Sequence, residues 1–256
     1  MILVGRPAAM PAALARGVAL TQIMQQDWDA FADEYRTGAR KFKFSKSVYG
    51  PKAVKDSLAR AQFEKCCYCE GGDFRAHVAG DVEHYRPKGS VKTDVEEIYP
   101  GYYWLAYSPT NLYFACPDCN AYRKRSRFPL KFEIARARNH HDPLGAEQPL
   151  LLDPAGPQNP RDHIRFARDQ PVGVTEEGRV TIEVLHLDRD QLTKKRRKLI
   201  GRLQGDLDTI ASFENNPDPA AIERVTRAHV ALQDAVQPHA EFSAMAQDFL
   251  AGWTPN

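Results

Sequence analysis

Two pairs of cysteines carry the most specific chemical signal in the chain. Cys66 and Cys69 are separated by two residues, as are Cys116 and Cys119, and 46 residues lie between the pairs. A two-residue spacing lets both thiolates of a tight turn face one tetrahedral cation, with Zn–S distances of about 2.3 Å. Two such turns complete a closed Zn2+ site of the structural kind. The competing reading, a pair of disulfides or inert buried thiols, is opposed by the twin spacing and by a reducing compartment. Cys67 is the odd cysteine out. It is expected to be a buried bystander, although it could stand in as a ligand.

The residues between the pairs argue for more than a binding module. Gly80-Asp-Val-Glu83-His84-Tyr-Arg86-Pro87-Lys88 places a carboxylate directly before a histidine and basic residues after it, and Asn111, Asn120 and Lys124 follow. Phosphodiester hydrolysis needs an activated water, a cation on the scissile phosphate and charge compensation for the leaving oxygen. Glu83 and Asn120 offer oxygen ligands for such a cation. His84 offers a general base, because a free imidazole titrates at about pH 6.5. Arg86, Lys88 and Lys124 offer cations for phosphates. A Glu-His dipeptide alone is ordinary surface; its place between two Cys-x-x-Cys turns is what favours catalysis.

These residues bear a resemblance to the HNH (ββα-metal finger) nucleases, carried by Glu83-His84, Asn111-Leu112 and Cys116-x-x-Cys119-Asn120-x-x-x-Lys124. The resemblance implies His84 as the base on a hairpin, Asn111 as the loop-stabilising middle residue, and Glu83 with Asn120 as ligands of a catalytic Mg2+ or Mn2+. It also implies the cysteine pairs as holders of a structural Zn2+. Lys65-Cys-Cys-Tyr-Cys-Glu70, Trp104-Leu-Ala-Tyr107, Phe128-Pro-Leu130 and Leu150-Leu-Leu-Asp-Pro154 extend the match. Together with Gly178-x-Val-Thr-Ile-Glu-Val-Leu-x-Leu-Asp-Arg-Asp-x-Leu192 they resemble the HNH component of Septu-type and retron-associated anti-phage systems over most of residues 60–200. That group implies anti-phage defence, a nucleic-acid substrate (DNA ahead of RNA) and an ABC-type ATPase partner. One departure is that Asn120 closes the motif where many members have His. An all-oxygen shell suits hard cations such as Mg2+ or Mn2+. The reading from another class is a zinc-stapled adaptor that binds nucleic acid or protein without cleaving.

The elements that must position these residues are helical. Residues 12–37 carry Leu14, Val18, Ile23, Trp28, Phe31 and Tyr35 at helical spacing, and 51–65 should form a second helix that delivers the chain to Cys66. Residues 139–180 read as a proline-rich linker ending in a strand-like Val180-Thr-Ile-Glu-Val-Leu185. A long helix from about Leu192 to Ile210 should end at Asn215-Asn-Pro-Asp-Pro219, with further helices at 220–236 and 239–250. The expected class is α+β and mainly helical: a helical region at 1–60, the finger at 61–135, and a linker, strand and helices at 136–256. Tyr99, Tyr102, Tyr103, Trp104 and Tyr107 are expected to pack under the finger rather than stack on bases. His77, His140, His141 and His163 read as ordinary, and Lys194-Lys-Arg-Arg-Lys198 as the solvated face of a helix.

Composition allows this reading without demanding it. The 256 residues are 43% hydrophobic and 10% aromatic, enough for a sizeable core and against disorder. A net charge of +2 is too small to prove a nucleic-acid partner, so any basic surface must be local. No apolar run approaches the roughly 20 residues that span a bilayer, and the Ala-rich Pro11–Leu20 stretch is broken by Arg16 and Gly17. No membrane association and a cytoplasmic address are therefore expected.

Overall fold

The structure is a computed structural model describing residues 1–9, 11–76 and 80–254; His77 lies outside the described residues. Its centre is an antiparallel ribbon of β1 (Asp81–His84) and β4 (Leu112–Ala115), with Glu83 opposite Tyr113 and His84 opposite Leu112. Successive strand side chains point to opposite faces, and here the two faces enter two different cores. Val82, Leu112 and Phe114 join an N-terminal cluster with Leu14, Trp28, Val54, Leu58 and Tyr103. Tyr113 and Ala115 join a second cluster with Tyr68, Tyr85, Phe128, Leu151 and Leu203. Gln62 imitates a neighbouring strand beside β4: its Nε2 donates to the Phe114 carbonyl at 2.7 Å, and its Oε1 accepts from the Phe114 amide at 2.8 Å.

Helices α1 (Arg16–Arg36), α2 (Lys46–Tyr49) and α3 (Lys52–Ala61) cover the N-terminal face. The buried side of α1 is narrower than expected: Met24, Trp28 and Tyr35 are buried, whereas Val18, Ile23 and Phe31 are exposed. A break in helical geometry at Phe31 (φ −135°, ψ 34°) turns that ring outward. Between β1 and β4 the chain makes a two-residue-deep hairpin, β2 (Val91–Lys92) with β3 (Glu97–Ile98). It then runs through the aromatic segment, where Tyr102, Tyr103 and Tyr107 are buried as core packing. Gly101 allows this segment to lie on the turn after His84, since a Cβ there would meet the Pro87 carbonyl at 2.3 Å. A π-helical segment, Asp118–Lys124, follows β4.

Downstream, two expectations are corrected. The residues read as linker contain a hairpin, β5 (Ile164–Ala167) with β6 (Gln170–Gly173). The residues read as a strand form α4 (Glu176–Leu185). Thr175 caps that helix, its Oγ1 accepting from the Gly178 amide, and Glu176 and Glu177 sit in the first turn where the helix dipole favours them. These terms outweigh the β-branched character of Val180-Thr-Ile. Then come α5 (Asp190–Phe213), α6 (Pro219–Ala235) and α7 (Ser243–Leu250), so the class is α+β with small sheets. Within the basic run on α5, Arg196 is a core residue, 1% exposed, its guanidinium bonded to the Leu187 carbonyl and lying over Phe166. Among the described residues, no helix is long and apolar enough to cross a membrane.

Candidate active site and metal centre

Cys66, Cys69, Cys116 and Cys119 converge, all buried, with their sulfurs within 4.8 Å of one another. A tetrahedral ion with ligands at about 2.3 Å would hold its sulfurs roughly 3.8 Å apart, and Cys69 and Cys116 are separated by 3.8 Å. The turns are built for this: the Cys66 amide donates to the Gly71 carbonyl, the Glu70 amide to the Cys66 carbonyl, and the Asn120 amide to the Cys116 carbonyl. Burial pushes the Cys66 thiol up, whereas hydrogen bonding from Cys116 and Cys119 draws Cys69 down. Arg189 Nη2 lies 3.5 Å from Cys119 Sγ, where it would offset part of the negative charge of four metal-bound thiolates. The group suits a metal such as zinc. Cys67 is buried outside this set, its amide bonded to the Phe114 carbonyl.

A cavity of about 390 Å³ opens where β1 and the π-helical segment meet α2 and α3, and Glu83, His84, Lys88 and Asn120 line it. His84 is 5% exposed and held from three sides. Its Nε2 lies 2.9 Å from the Ala106 carbonyl, which can only accept, so Nε2 carries the proton and Nδ1 keeps its lone pair. Lys88 Nζ is 3.3 Å from that Nδ1, and the Tyr49 ring meets the imidazole edge-on. Burial, and then the Lys88 and Lys124 charges, hold His84 well below the ordinary imidazole range, so the ring is neutral. Burial also pushes Lys88 down to about 8. Asn120 sits in the segment whose i→i+5 bond, from the Arg125 amide to the Asn120 carbonyl, marks it as π-helical.

Two of the expected phosphate-binding residues, Lys124 and Arg86, are paired with buried carboxylates, and Asn111 hydrogen-bonds within the turn after β1. Lys124 is fully buried, with Nζ 2.6 Å from Glu83 Oε1 and 2.9 Å from the His84 carbonyl. It neutralises Glu83 rather than standing open to a phosphate, and Tyr68 adds a hydroxyl bond to the same carboxylate oxygen. Arg86 forms an ion pair with buried Glu147 at 2.9 Å and lies over Phe128, turned away from the cavity. Asn111 braces the turn after β1: its Oδ1 accepts from the Arg86 amide at 2.7 Å, and its Nδ2 donates to the Arg86 and Leu105 carbonyls. It supports the segment that ends at Ala106.

Residues that sequence reasoning missed supply much of the remaining cavity wall: Lys46 and Tyr49 from α2, Lys55 from α3, Asp81, Arg125 and Ser126. Lys46, Lys55, Lys88 and Arg125 outnumber the two carboxylates, which makes the cavity locally basic in a chain of nearly balanced charge. Arg125 could have been suspected from its place after Lys124. Its backbone lies in the left-handed region at φ 53°, a conformation that a non-glycine residue holds only at a local cost of about 1–3 kcal/mol. Lys46 and Lys55 carry no local signal and reach the site only through the fold.

The chain is similar to Septu proteins. It is 34% identical over 173 residues to the Septu protein PtuB of Bacillus mycoides strain KBAB4, covering 64% of this chain and 56% of that protein. With the PtuB of Bacillus thuringiensis it shares 25% identity over 211 residues, 80% of this chain and 70% of that one. With the Septu protein PtuA of Bacillus mycoides it shares 29% over 156 residues, 60% of this chain and 21% of the other. The chain thus spans about half the length of the first PtuB and a fifth of PtuA. No family model matches it, and no solved structure matches it.

Proposed function

We propose that this chain is a metal-dependent HNH-type endonuclease, the nuclease component of a Septu-type anti-phage defence system acting with an ABC-type ATPase. The observation that carries the reading is the cavity itself. A neutral histidine with its proton fixed on Nε2 shares one basic pocket with a carboxylate and an amide, on a ribbon anchored beside four clustered cysteines. The likeness to PtuB and PtuA supports the defence setting.

Glu83 and Asn120 are the oxygen donors that would hold Mg2+ or Mn2+, and two protein ligands with the remainder left to water fit the habits of Mg2+. Bound there, the cation would supply positive charge at the scissile phosphate. His84 Nδ1 would take the proton of the attacking water, with the Ala106 carbonyl steadying the imidazolium that results. Lys88, Lys46 and Arg125 would hold phosphate oxygens, and a phosphate drawing Lys88 toward itself would free Nδ1 for water. The cysteine group would hold Zn2+ as a structural ion. A cytoplasmic location and DNA as substrate belong to the same proposal.

The test is co-purification of the chain with its ABC-type ATPase partner, followed by incubation with plasmid, single-stranded DNA and tRNA, with and without Mg2+ or Mn2+. Cleavage that needs metal and is lost in His84→Ala is expected. A complex that binds nucleic acid yet never cuts it under any of these conditions would instead identify a zinc-stapled adaptor.

A further inference from the structure

Away from the cavity, Asp29 on α1 meets His140 and His141 on the turn that follows the finger, with one ligand atom from each lying within 4.8 Å of the others. His141 Nε2 is 2.8 Å from Asp29 Oδ1, and His140 Nε2 is 3.7 Å from Asp29 Oδ2. We propose that these three side chains form a second metal site, taking a borderline divalent cation of the Zn2+ type.

A plain histidine–carboxylate ion pair would account for His141 but not for His140. The two imidazoles lie 3.9 Å apart and turn both Nε2 atoms toward one carboxylate. A tetrahedral cation with ligands at 2.0–2.1 Å needs donor separations of roughly 3.3 Å. The two distances above bracket that value. His140 is oriented as metal-binding histidines are, its other nitrogen, Nδ1, engaged 2.6 Å from the Tyr103 hydroxyl. Tyr103 is fully buried and stacks on Trp28, the residue before Asp29, so the carboxylate and His140 are positioned through one aromatic pair.

The turn is ordered without help from the proposed ion. Asp142 accepts from the amides of Arg138 and Asn139, and Asn139 Oδ1 accepts from the His141 amide. Asp142 is therefore occupied, and Asp29 is the carboxylate left for a cation. His141 and Asp29 are exposed, which gives an ion a way in and water a place to complete the shell. Two imidazoles and one carboxylate suit Zn2+ better than Mg2+ or Ca2+, which favour all-oxygen sets. Bound there, the ion would tie α1 to the 138–142 turn.

The experiment uses the full chain with its cysteine site already filled, judged by one zinc per chain after desalting. Zn2+ and Co2+ are then titrated by calorimetry and absorption. The wild type should take a second equivalent, with a Co2+ spectrum of nitrogen and oxygen ligation lacking the intense thiolate band. His141→Ala, an exposed change that leaves the fold alone, should lose that equivalent, and Tyr103→Phe should weaken it by about 10–100-fold. Asn120→Ala should retain it. The proposal is overturned if no second equivalent binds, if His141→Ala titrates like the wild type, or if the equivalent disappears in Asn120→Ala instead.

Discussion

Lys124→Met tests the electrostatic arrangement at the heart of the site. The lysine side chain has no exposure and Glu83 has 2%, so solvent does not screen the 2.6 Å pair. Removing the ammonium strands a buried carboxylate whose other described contact is the Tyr68 hydroxyl at 3.3 Å. Losing one partner of a buried pair typically costs about 3–5 kcal/mol. In a chain of this size each kcal/mol lowers Tm by about 2–4 °C, so the expected fall is roughly 6–20 °C. The metal response is the sharper readout. If Glu83 is a ligand of Mg2+ or Mn2+, the cation restores the missing charge, and saturating metal should stabilise Lys124→Met more than the wild type. Thermal unfolding by circular dichroism, with and without divalent metal, measures both effects. A loss below about 1 kcal/mol would refute the buried-pair argument. Equal metal stabilisation of both proteins would remove Glu83 from the cation site.

Three further expectations follow from the same geometry. His84→Ala should lower cleavage by about 10²–10⁴ and resist rescue by metal, whereas Asn120→Ala should recover part of its activity at raised Mg2+ or Mn2+; equal rescue of both, in cleavage assays across a metal titration, would undo the division between base and ligand. Cys66→Ser or Cys119→Ser should lose zinc and cooperative folding together, because structural zinc in small fingers supplies on the order of 10 kcal/mol; elemental analysis alongside thermal unfolding checks this. Asn111→Ala should cost about 1–3 kcal/mol by leaving the Arg86 amide without its acceptor, with the cleavage rate falling as the Ala106 segment loosens; urea unfolding and steady-state cleavage would reveal a neutral substitution.

What could be read from the sequence was whatever local spacing encodes. Twin two-residue spacings bring sulfur pairs to one point whatever surrounds them, and the four cysteines cluster as expected. Helical periodicity and the Asn-Asn-Pro-Asp-Pro break placed α5 and α6, because both depend on residues within a turn or two of each other. The same local signals point the wrong way at Val180–Leu185, where β-branched residues suggest a strand but the cap at Thr175 and the acidic first turn set a helix. It also missed β5 and β6, whose four-residue strands are too short for alternation to stand out from a proline-rich background.

Tertiary structure alone decided which charges face the cavity. Arg86, Lys88 and Lys124 look equivalent in sequence, yet one pairs with Glu147, one reaches His84 and one is sealed against Glu83. The difference lies in residues distant in sequence from each cation: Glu147 for Arg86, Glu83 for Lys124 and, around Lys88, Lys46 and Tyr49, which bound the pocket only because α2 folds back over β1. Residue types and spacing set which chemistry was available. The packing of two cores on opposite faces of one ribbon decided which basic side chains face the cavity, since a lysine sealed against a buried carboxylate, as Lys124 is, does not stand open to a phosphate.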